Sequence, residues 1–133
     1  MGGRFDESIK SLVRRKSILT MTPGEIYWAN LTSGRRPVVV VSREAFNRGM
    51  YIQIIPFTSK HFEKRSKLRN CVPFRHGECG LPMDCVAQCE MLAAVEKSEL
   101  DASAPLLGTL DELKSREIIR ALGYVFCAEC EPE

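Results

Sequence analysis

The sequence predicts a small, mainly β domain with one helix near each end. Its 133 residues fit one domain, since domains usually hold about 100 to 200 residues. Segments 38–42 and 50–57 are rich in β-branched and apolar residues, and the polar, turn-forming residues between them are typical of two paired strands. Segments 5–19 and 109–126 instead place apolar residues at a spacing near 3.6, which is typical of amphipathic helices.

The two paired strands predict a phosphate-binding site at one end of their hairpin. Pro37 suits the first position of a strand, because proline fixes φ and has no N–H to donate. Arg35 and Arg36 precede the first strand, and Thr58 and Ser59 follow the second. Antiparallel pairing brings these two ends together. Cations beside hydroxyl groups then form a site suited to phosphate.

Further short strands are predicted on both sides of the hairpin, at 25–31, 71–74 and 83–92. A turn at 32–34 joins the first of them to the hairpin. The charged segment 60–69 is expected to be a solvated connection or a single helical turn. The result is a core of five or six short antiparallel strands.

Alternation along segment 83–92 separates an apolar face from a polar face. One face would hold Cys85, Ala87, Cys89 and Met91, and the other Val86, Gln88 and Glu90. We therefore interpret Cys85 and Cys89 as small buried hydrophobic residues rather than metal ligands.

The C-terminal helix is predicted to begin at a capping box and to end near Phe126. In this motif the Thr109 hydroxyl and the Glu112 carboxylate each accept a hydrogen bond from a backbone N–H of the first turn. The apolar face of the helix would be formed by Leu113, Ile118, Leu122, Val125 and Phe126.

The remaining cysteines leave a metal or redox role open. Cys127 and Cys130 form a CxxC pair, which can be half of a zinc site or a redox pair. The other possible ligands, Cys71, His76 and Cys79, lack tight spacing. We therefore expect no metal and no other cofactor.

Charge is distributed unevenly along the chain. Residues 1–75 carry 15 basic and five acidic side chains, a net charge of +10, whereas residues 76–133 carry four and twelve, a net charge of −8. The basic half contains the predicted phosphate site, which favours a nucleic acid as ligand. A solvated surface whose two halves neutralise each other is the alternative.

The sequence contains no segment of about 18 apolar residues that could span a membrane, and its N-terminus lacks the apolar region of a signal peptide. We expect a cytoplasmic protein without membrane association.

Six short motifs follow one another along the chain: Pro23-Gly24-Glu25-Ile26-Tyr27-Trp28, Gly34-x-Arg36-Pro37-Val38-Val39-Val40-Val41-Ser42, Asn47-Arg48, Pro56-x-Thr58-Ser59, Gly80-Leu81 and Val95-x-Lys97. None is specific alone. In this order and spacing they resemble the MazF/PemK family of toxin endoribonucleases of type II toxin–antitoxin systems, from about Pro23 to Phe126.

This resemblance implies an SH3-like small barrel that forms a homodimer and binds single-stranded mRNA in a groove at the dimer interface. It implies a metal-independent, sequence-specific endoribonuclease that leaves 2′,3′-cyclic phosphate and 5′-hydroxyl ends, inhibits growth, and has a cognate antitoxin as protein partner. The toxin domain would span 23–126, with an N-terminal helical extension at 1–22 and a C-terminal tail at 127–133.

The resemblance also implies roles for individual residues. Arg36 would stabilise the reacting phosphate, for which the planar guanidinium is well suited, and Thr58 would bind a phosphate oxygen. Glu90 retains a carboxylate that could act as general base, and His61 is the alternative. The expected substrate-binding residues are Arg35, Ser59, His61, Gln88, Asn47 and Arg48.

Two departures from the family pattern leave alternatives open. The family commonly has a longer, glycine-containing loop between the first two strands, and this chain has only a few residues there. Gln88 replaces an arginine of PemK-like members and removes a charge. A gyrase-directed toxin of the same fold and a non-catalytic RNA-binding module are therefore the alternative functions.

Overall fold

The structure is a computed structural model, and it describes residues 21–126. The predicted N-terminal helix at 5–19 and the Cys127 and Cys130 pair lie outside the described residues. The described chain contains β1 (Glu25–Leu31), β2 (Gly34–Val40), β3 (Tyr51–Thr58), α1 (Phe62–Arg65), β4 (Cys71–Phe74), β5 (Cys85–Gln88), β6 (Ala93–Glu96), β7 (Gly108–Thr109) and α2 (Glu112–Phe126). Neither of these helices is long and apolar enough to cross a membrane.

The seven strands form one curled antiparallel sheet in the order β4-β5-β3-β2-β1-β7, with β6 paired to β3. The central strand, β3, pairs with β2 along one edge. Along its other edge the first half pairs with β6 and the last two residues pair with β5. The mainly β, antiparallel class with a C-terminal helix is therefore confirmed, with seven strands in place of the five or six predicted.

The predicted hairpin is formed by β2 and β3, with Val38 opposite Pro56 and Val40 opposite Ile54. A much tighter turn joins β1 to β2. Leu31 pairs with Gly34, so that only two residues lie between these strands. The long loop that the family commonly has at this point is therefore absent from this fold.

Successive residues of β2 and β3 pack into two different cores, because side chains alternate across a strand. Val39, Ile55 and Phe57 pack with Ile118 and Ala121 of α2. On the other face the buried cluster consists of Met21, Tyr27, Ala29, Val38, Val40, Ile52, Ile54, Val95 and Leu100. The two central strands are thus buried on both sides.

Strand β5 is shorter than predicted. It ends at Gln88, and a 3₁₀ turn over Cys89–Met91 follows. Strict alternation therefore stops there, and Met91, which was expected on the buried face, is 54% exposed. Cys85 and Cys89 are buried as predicted, and burial raises the pKa of both thiols to about 12.

The C-terminal helix begins two residues later than the capping box predicted. Thr109 belongs to β7, and the carboxylate of Asp111 accepts a hydrogen bond from the N–H of Lys114 at 2.8 Å. Asp111 therefore caps the helix. Leu113 and Phe126 were expected on its apolar face, but both are exposed, since the side of α2 that packs on the sheet is centred on Ile118.

Lys114 attaches α2 to the sheet. Its side chain is buried, and its amine donates a hydrogen bond to the carbonyl oxygen of Pro73 at 2.7 Å. The same amine lies 4.8 Å from the ring centroid of Phe74 and 3.6 Å from a carboxylate oxygen of Glu117. A buried ammonium group is tolerated when it is paired in this way.

Two glycines allow a close contact between the segment before β5 and the start of β7. A Cβ on Gly80 would lie 1.9 Å from the carbonyl oxygen of Leu107, and a Cβ on Gly108 would lie 2.0 Å from that of Cys79. These distances are too short for any side chain, so the backbones touch here only because both residues are glycine.

Replacing Gly108 by alanine should therefore lower the free energy of unfolding by about 3 kcal/mol or more, as overpacking against rigid backbone does. Gly123→Ala in α2 is the matched control, because nothing lies within 4 Å of its Cβ. Alanine is the better helix former, so this variant should gain about 0.5–1 kcal/mol. Urea unfolding measures both, and equal effects would contradict the close contact.

Candidate functional site

Strands β2 and β3 carry two of the three predicted catalytic residues, Arg36 and Thr58. Thr58 lies opposite Val86 of β5. Val38 and Pro56 are the last pair that β2 and β3 form, so Arg36 and Thr58 each lie two residues beyond the paired part of the hairpin, at the same end of the sheet.

A cavity of about 250 Å³ lies at this end of the sheet, where β2 begins and β3 ends. It is lined by Trp28, Arg35, Arg36, Pro37, Phe57, Thr58, Ser59, Lys60, Met83 and Cys85. Four residues predicted for the site therefore meet at one cavity. Its polar groups are cations and hydroxyls, which suits an anionic ligand.

The Arg36 guanidinium is only partly bonded. One terminal nitrogen donates to the carbonyl oxygen of Ser33 at 3.1 Å, whereas Nε is buried and has no hydrogen-bond partner in the described part of the chain. No carboxylate pairs with Arg36 among residues 21–126. An unpaired buried donor costs free energy, so an anion that accepts from Nε would be favoured here.

Thr58 is held at the end of β3 with its hydroxyl at the cavity. The side chain is 8% exposed, and its Oγ1 accepts a hydrogen bond from the N–H of Lys60 at 3.2 Å. This contact turns the chain after β3 and leaves the hydroxyl hydrogen free to be donated. Ser59 and Lys60, both exposed, add a second hydroxyl and an ammonium group to the cavity.

Arg35 differs from Arg36 because it has a carboxylate partner. Its guanidinium is paired with Asp101 and lies over Trp28, with Cζ 4.7 Å from the ring centroid. The backbone N–H of Asp101 also donates to the carbonyl oxygen of Trp28 at 2.8 Å. Arg35 is thus held in one position against the cavity wall.

Gln88 and Glu90 lie near this site but do not line the cavity. Thr58 faces Val86, so Gln88, two residues further along β5, is its diagonal neighbour on the same face, at about 7–8 Å. Glu90 accepts hydrogen bonds from Asn70 at 2.7 Å and from Gln88 at 3.4 Å. The carboxylate is therefore positioned by these two contacts, since the strand has already ended.

His61 lies two residues beyond the cavity residue Ser59, at the start of α1, and it is exposed. Its φ of 55° is in the left-handed region, which is uncommon for any residue other than glycine. Segment 60–69 forms the single helical turn that was one of the two predicted outcomes. The segment contains five lysines and arginines, of which Lys60 lines the cavity.

Asn47 and Arg48, which were predicted to bind substrate, lie elsewhere. Asn47 is fully buried, and its side-chain amide donates to the carbonyl oxygens of Met21 and Ser42 at 2.9 and 2.8 Å. It therefore stabilises the β2–β3 connection from inside. Arg48 lines a different cavity. It precedes β3, whereas Thr58 is the last residue of that strand, and the two ends of an eight-residue strand are about 23 Å apart.

The sequence analysis missed several residues of the site, among them Lys60, which lines the cavity, and Asn70, which donates a hydrogen bond to Glu90. Trp28 and Met83 are cavity walls, and Asp101 orients Arg35. Trp28 was visible only as part of a strand, and Asp101 is 66 residues away from Arg35 in the chain. Within residues 21–126, no group of three or more His, Cys, Asp or Glu side chains is arranged to hold a metal ion.

Comparison with solved structures gives the class of fold. The chain is similar to the Mycobacterium tuberculosis toxin MazF-mt6 (22% identity, TM-score 0.64, covering 77% of this chain and 95% of that one). It is also similar to an endoribonuclease in complex with its cognate antitoxin from a Mycobacterial species (20% identity, TM-score 0.67, covering 84% of this chain and 98% of that one). A MazE–MazF structure from Deinococcus radiodurans is similar to the same degree (22% identity, TM-score 0.63, covering 81% of this chain and 96% of that one).

The fold is therefore that of the MazF toxins. Residues 22–126 match the PemK-like, MazF-like toxin family of type II toxin–antitoxin systems, and the chain belongs to this family. No curated protein matches the sequence significantly.

Asp101 should titrate well below an ordinary carboxyl group. Hydrogen bonds from Ser103 and then the contact with Arg35 lower its pKa to about 2. Because the folded pKa is depressed, the stability that Asp101 contributes is present above its unfolded pKa of about 3.9 and is lost as the pH falls from there towards 2. Side-chain carboxyl NMR should show this midpoint, and Ser103→Ala should raise it. An unchanged midpoint in Ser103→Ala would show that the hydroxyl is not the main cause.

Proposed function

We propose that this protein is a metal-independent endoribonuclease toxin. It cleaves single-stranded mRNA in a sequence-specific manner to 2′,3′-cyclic phosphate and 5′-hydroxyl ends, and it thereby inhibits translation and growth. The observation that carries this proposal is the meeting of Arg36 and Thr58 at one cavity, with Arg36 Nε buried and unpaired. Family membership and the endoribonuclease named among the similar structures support it.

Cleavage of this kind has three requirements. A base removes the proton of the 2′-hydroxyl, the 2′-oxygen attacks phosphorus, and the bond to the 5′-oxygen breaks as that oxygen takes up a proton. Positive charge and hydrogen-bond donors stabilise the pentacoordinate phosphate between these steps. Arg36 and Thr58 supply a charged fork and a hydroxyl donor for this phosphate. We also assign to Arg36 the donation of this proton to the 5′-oxygen.

Glu90 is the proposed general base. Its carboxylate is oriented by Asn70 and Gln88, and Gln88 is the diagonal neighbour of Thr58. A base on this part of the face would reach a ribose whose phosphate lies between Arg36 and Thr58. Gln88 itself is neutral, so it positions the carboxylate and binds substrate without adding charge to the phosphate site.

Other properties of the proposed toxin follow from its family. Structures similar to this chain include toxin–antitoxin complexes, so an antitoxin is the proposed protein partner. We further propose a homodimeric SH3-like barrel in the cytoplasm, with residues 23–126 as the toxin domain. Arg35, Ser59 and Lys60 would contact the RNA around the cleaved phosphate.

The purified protein should cleave single-stranded RNA in the presence of EDTA and leave duplex RNA largely intact, because a base-paired strand cannot enter the site. The new 5′ ends should accept phosphate from polynucleotide kinase without prior dephosphorylation. Arg36→Ala and Thr58→Ala should each slow cleavage about 10²-fold or more, as the loss of a transition-state donor does. Gel assays on a diverse RNA pool measure these rates.

Arg116→Ala is the control, because Arg116 is exposed on α2 and, within residues 21–126, pairs with Glu112 alone. It should cleave at the wild-type rate. Near-normal rates in both site variants would refute the assigned residues. A folded wild-type protein that binds the RNA pool without cutting it would instead be a non-catalytic RNA-binding module.

The pH dependence of cleavage identifies the base. The base must be deprotonated, so the rate should rise with pH through the pKa of that group. A carboxylate places this limb in the acidic range and a histidine places it near neutrality. We expect the cleavage rate to rise with pH in the acidic range. Glu90→Gln should remove this rise while RNA binding changes little, and His61→Ala should leave it in place. A limb near neutrality that only His61→Ala flattens would assign the base to His61.

A further inference from the structure

We propose that the cavity contains a slot for one unpaired nucleobase, next to the phosphate bound by Arg36 and Thr58. One wall of this slot is Trp28 with Arg35 stacked on it, and the other is Met83. This inference rests on the proposed function, because it takes single-stranded RNA as the ligand. It assigns base recognition to the cavity walls, whereas Arg36 and Thr58 contact the phosphate.

The order of the strands places the apolar residues on either side of the phosphate site. Arg36 and Thr58 lie on β2 and β3 in the middle of the sheet. Trp28 is on β1, beyond β2, and Met83 lies just before β5, beyond β3. All four residues line the same cavity. A nucleotide held by its phosphate in the centre therefore has an apolar contact available on each side.

Trp28 is already organised for stacking. The guanidinium of Arg35 lies 4.7 Å from its ring centroid, and pairing with Asp101 keeps it there. Unpaired bases in protein–RNA complexes stack on aromatic rings and on arginine planes, and this pair presents both kinds of surface. Met83 is 40% exposed, and its unbranched, polarizable side chain adapts to a flat ring.

The size and position of the cavity suit a single nucleotide. Its volume of about 250 Å³ lies below the roughly 300–1,000 Å³ of pockets that enclose a whole small molecule, which fits one unit of a longer chain. Trp28 and Arg36 leave their strands on opposite faces of the sheet, since Trp28 pairs with Pro37. Both nevertheless line the same cavity, so a bound nucleotide could extend from one to the other.

The short β1–β2 turn strengthens this assignment. Only Thr32 and Ser33 lie between the paired residues Leu31 and Gly34, so this connection has no side chains long enough to cover a bound base. Stacking against rigid residues of the cavity is then the contact that remains for a base at this site.

Trp28 is the single tryptophan of the chain, so its fluorescence reports on the slot directly. The probe is a mixed-sequence RNA hexamer with 2′-O-methyl riboses, which cannot be cleaved by attack of the 2′-oxygen. We expect saturable quenching of Trp28. An abasic hexamer with the same number of phosphates should quench little and bind about tenfold more weakly, because base stacking is lost.

Substitutions test the same contact by fluorescence anisotropy of a labelled hexamer. Trp28→Ala should weaken binding about tenfold, whereas Trp28→Phe, which keeps a flat ring, should stay within about threefold of the wild type. Phe46→Ala removes an aromatic side chain that is 71% exposed and absent from the cavity lining, so it should bind as the wild type does.

The outcomes separate this inference from the proposed function. RNA cleavage without quenching, or equal binding of the hexamer and its abasic form, would refute the slot and leave the endoribonuclease proposal standing. Quenching without cleavage would support the slot and refute the nuclease. A protein that neither quenches nor cleaves refutes both. If Trp28→Ala fails to fold, the comparison of the two hexamers on wild-type protein decides.

Discussion

The pairing of β2 with β3 is the constraint on which the rest of the structure depends. It brings the entry of β2 and the exit of β3 to the same end of the sheet, where Arg36 and Thr58 line one cavity, and a slip of one residue would move Arg36 to the opposite face of the sheet. Packing holds this register, because Val38 and Val40 belong to one buried cluster and Val39 to the other. The stability of the cores and the geometry of the site are therefore set by the same pairing.

The two neighbouring arginines at this position have different roles because their surroundings differ. Arg35 is neutralised by Asp101 and held against Trp28, so it acts as part of a wall. Arg36 has no carboxylate partner within residues 21–126 and retains a buried, unbonded Nε. A bound phosphate would supply the missing hydrogen-bond acceptor. The free energy lost by leaving this donor unbonded in the free protein would then be recovered when the ligand binds.

Two polar residues that were expected at the site have surroundings other than those predicted, and the cause differs between them. Asn47 belongs to a turn motif shared with the family, yet its amide bonds two backbone carbonyls inside the protein. Glu90 was placed by counting along a strand that in fact ends two residues earlier. Its position depends on Asn70 and Gln88, which hold the carboxylate after the chain has turned.

The sequence by itself determined the elements whose cause is local. β-branched runs, a proline at a strand entry and apolar spacing identified the central hairpin and the C-terminal helix, and antiparallel pairing then brought Arg36 to Thr58. Only the tertiary structure decided that Asp101 orients Arg35 across 66 residues and that Trp28 and Met83 enclose the cavity. It also decided that the backbones meet at Gly80 and Gly108. The physical reason is that such contacts arise from how the sheet curls and how its connecting segments pack, and neither is encoded in the spacing of neighbouring residues.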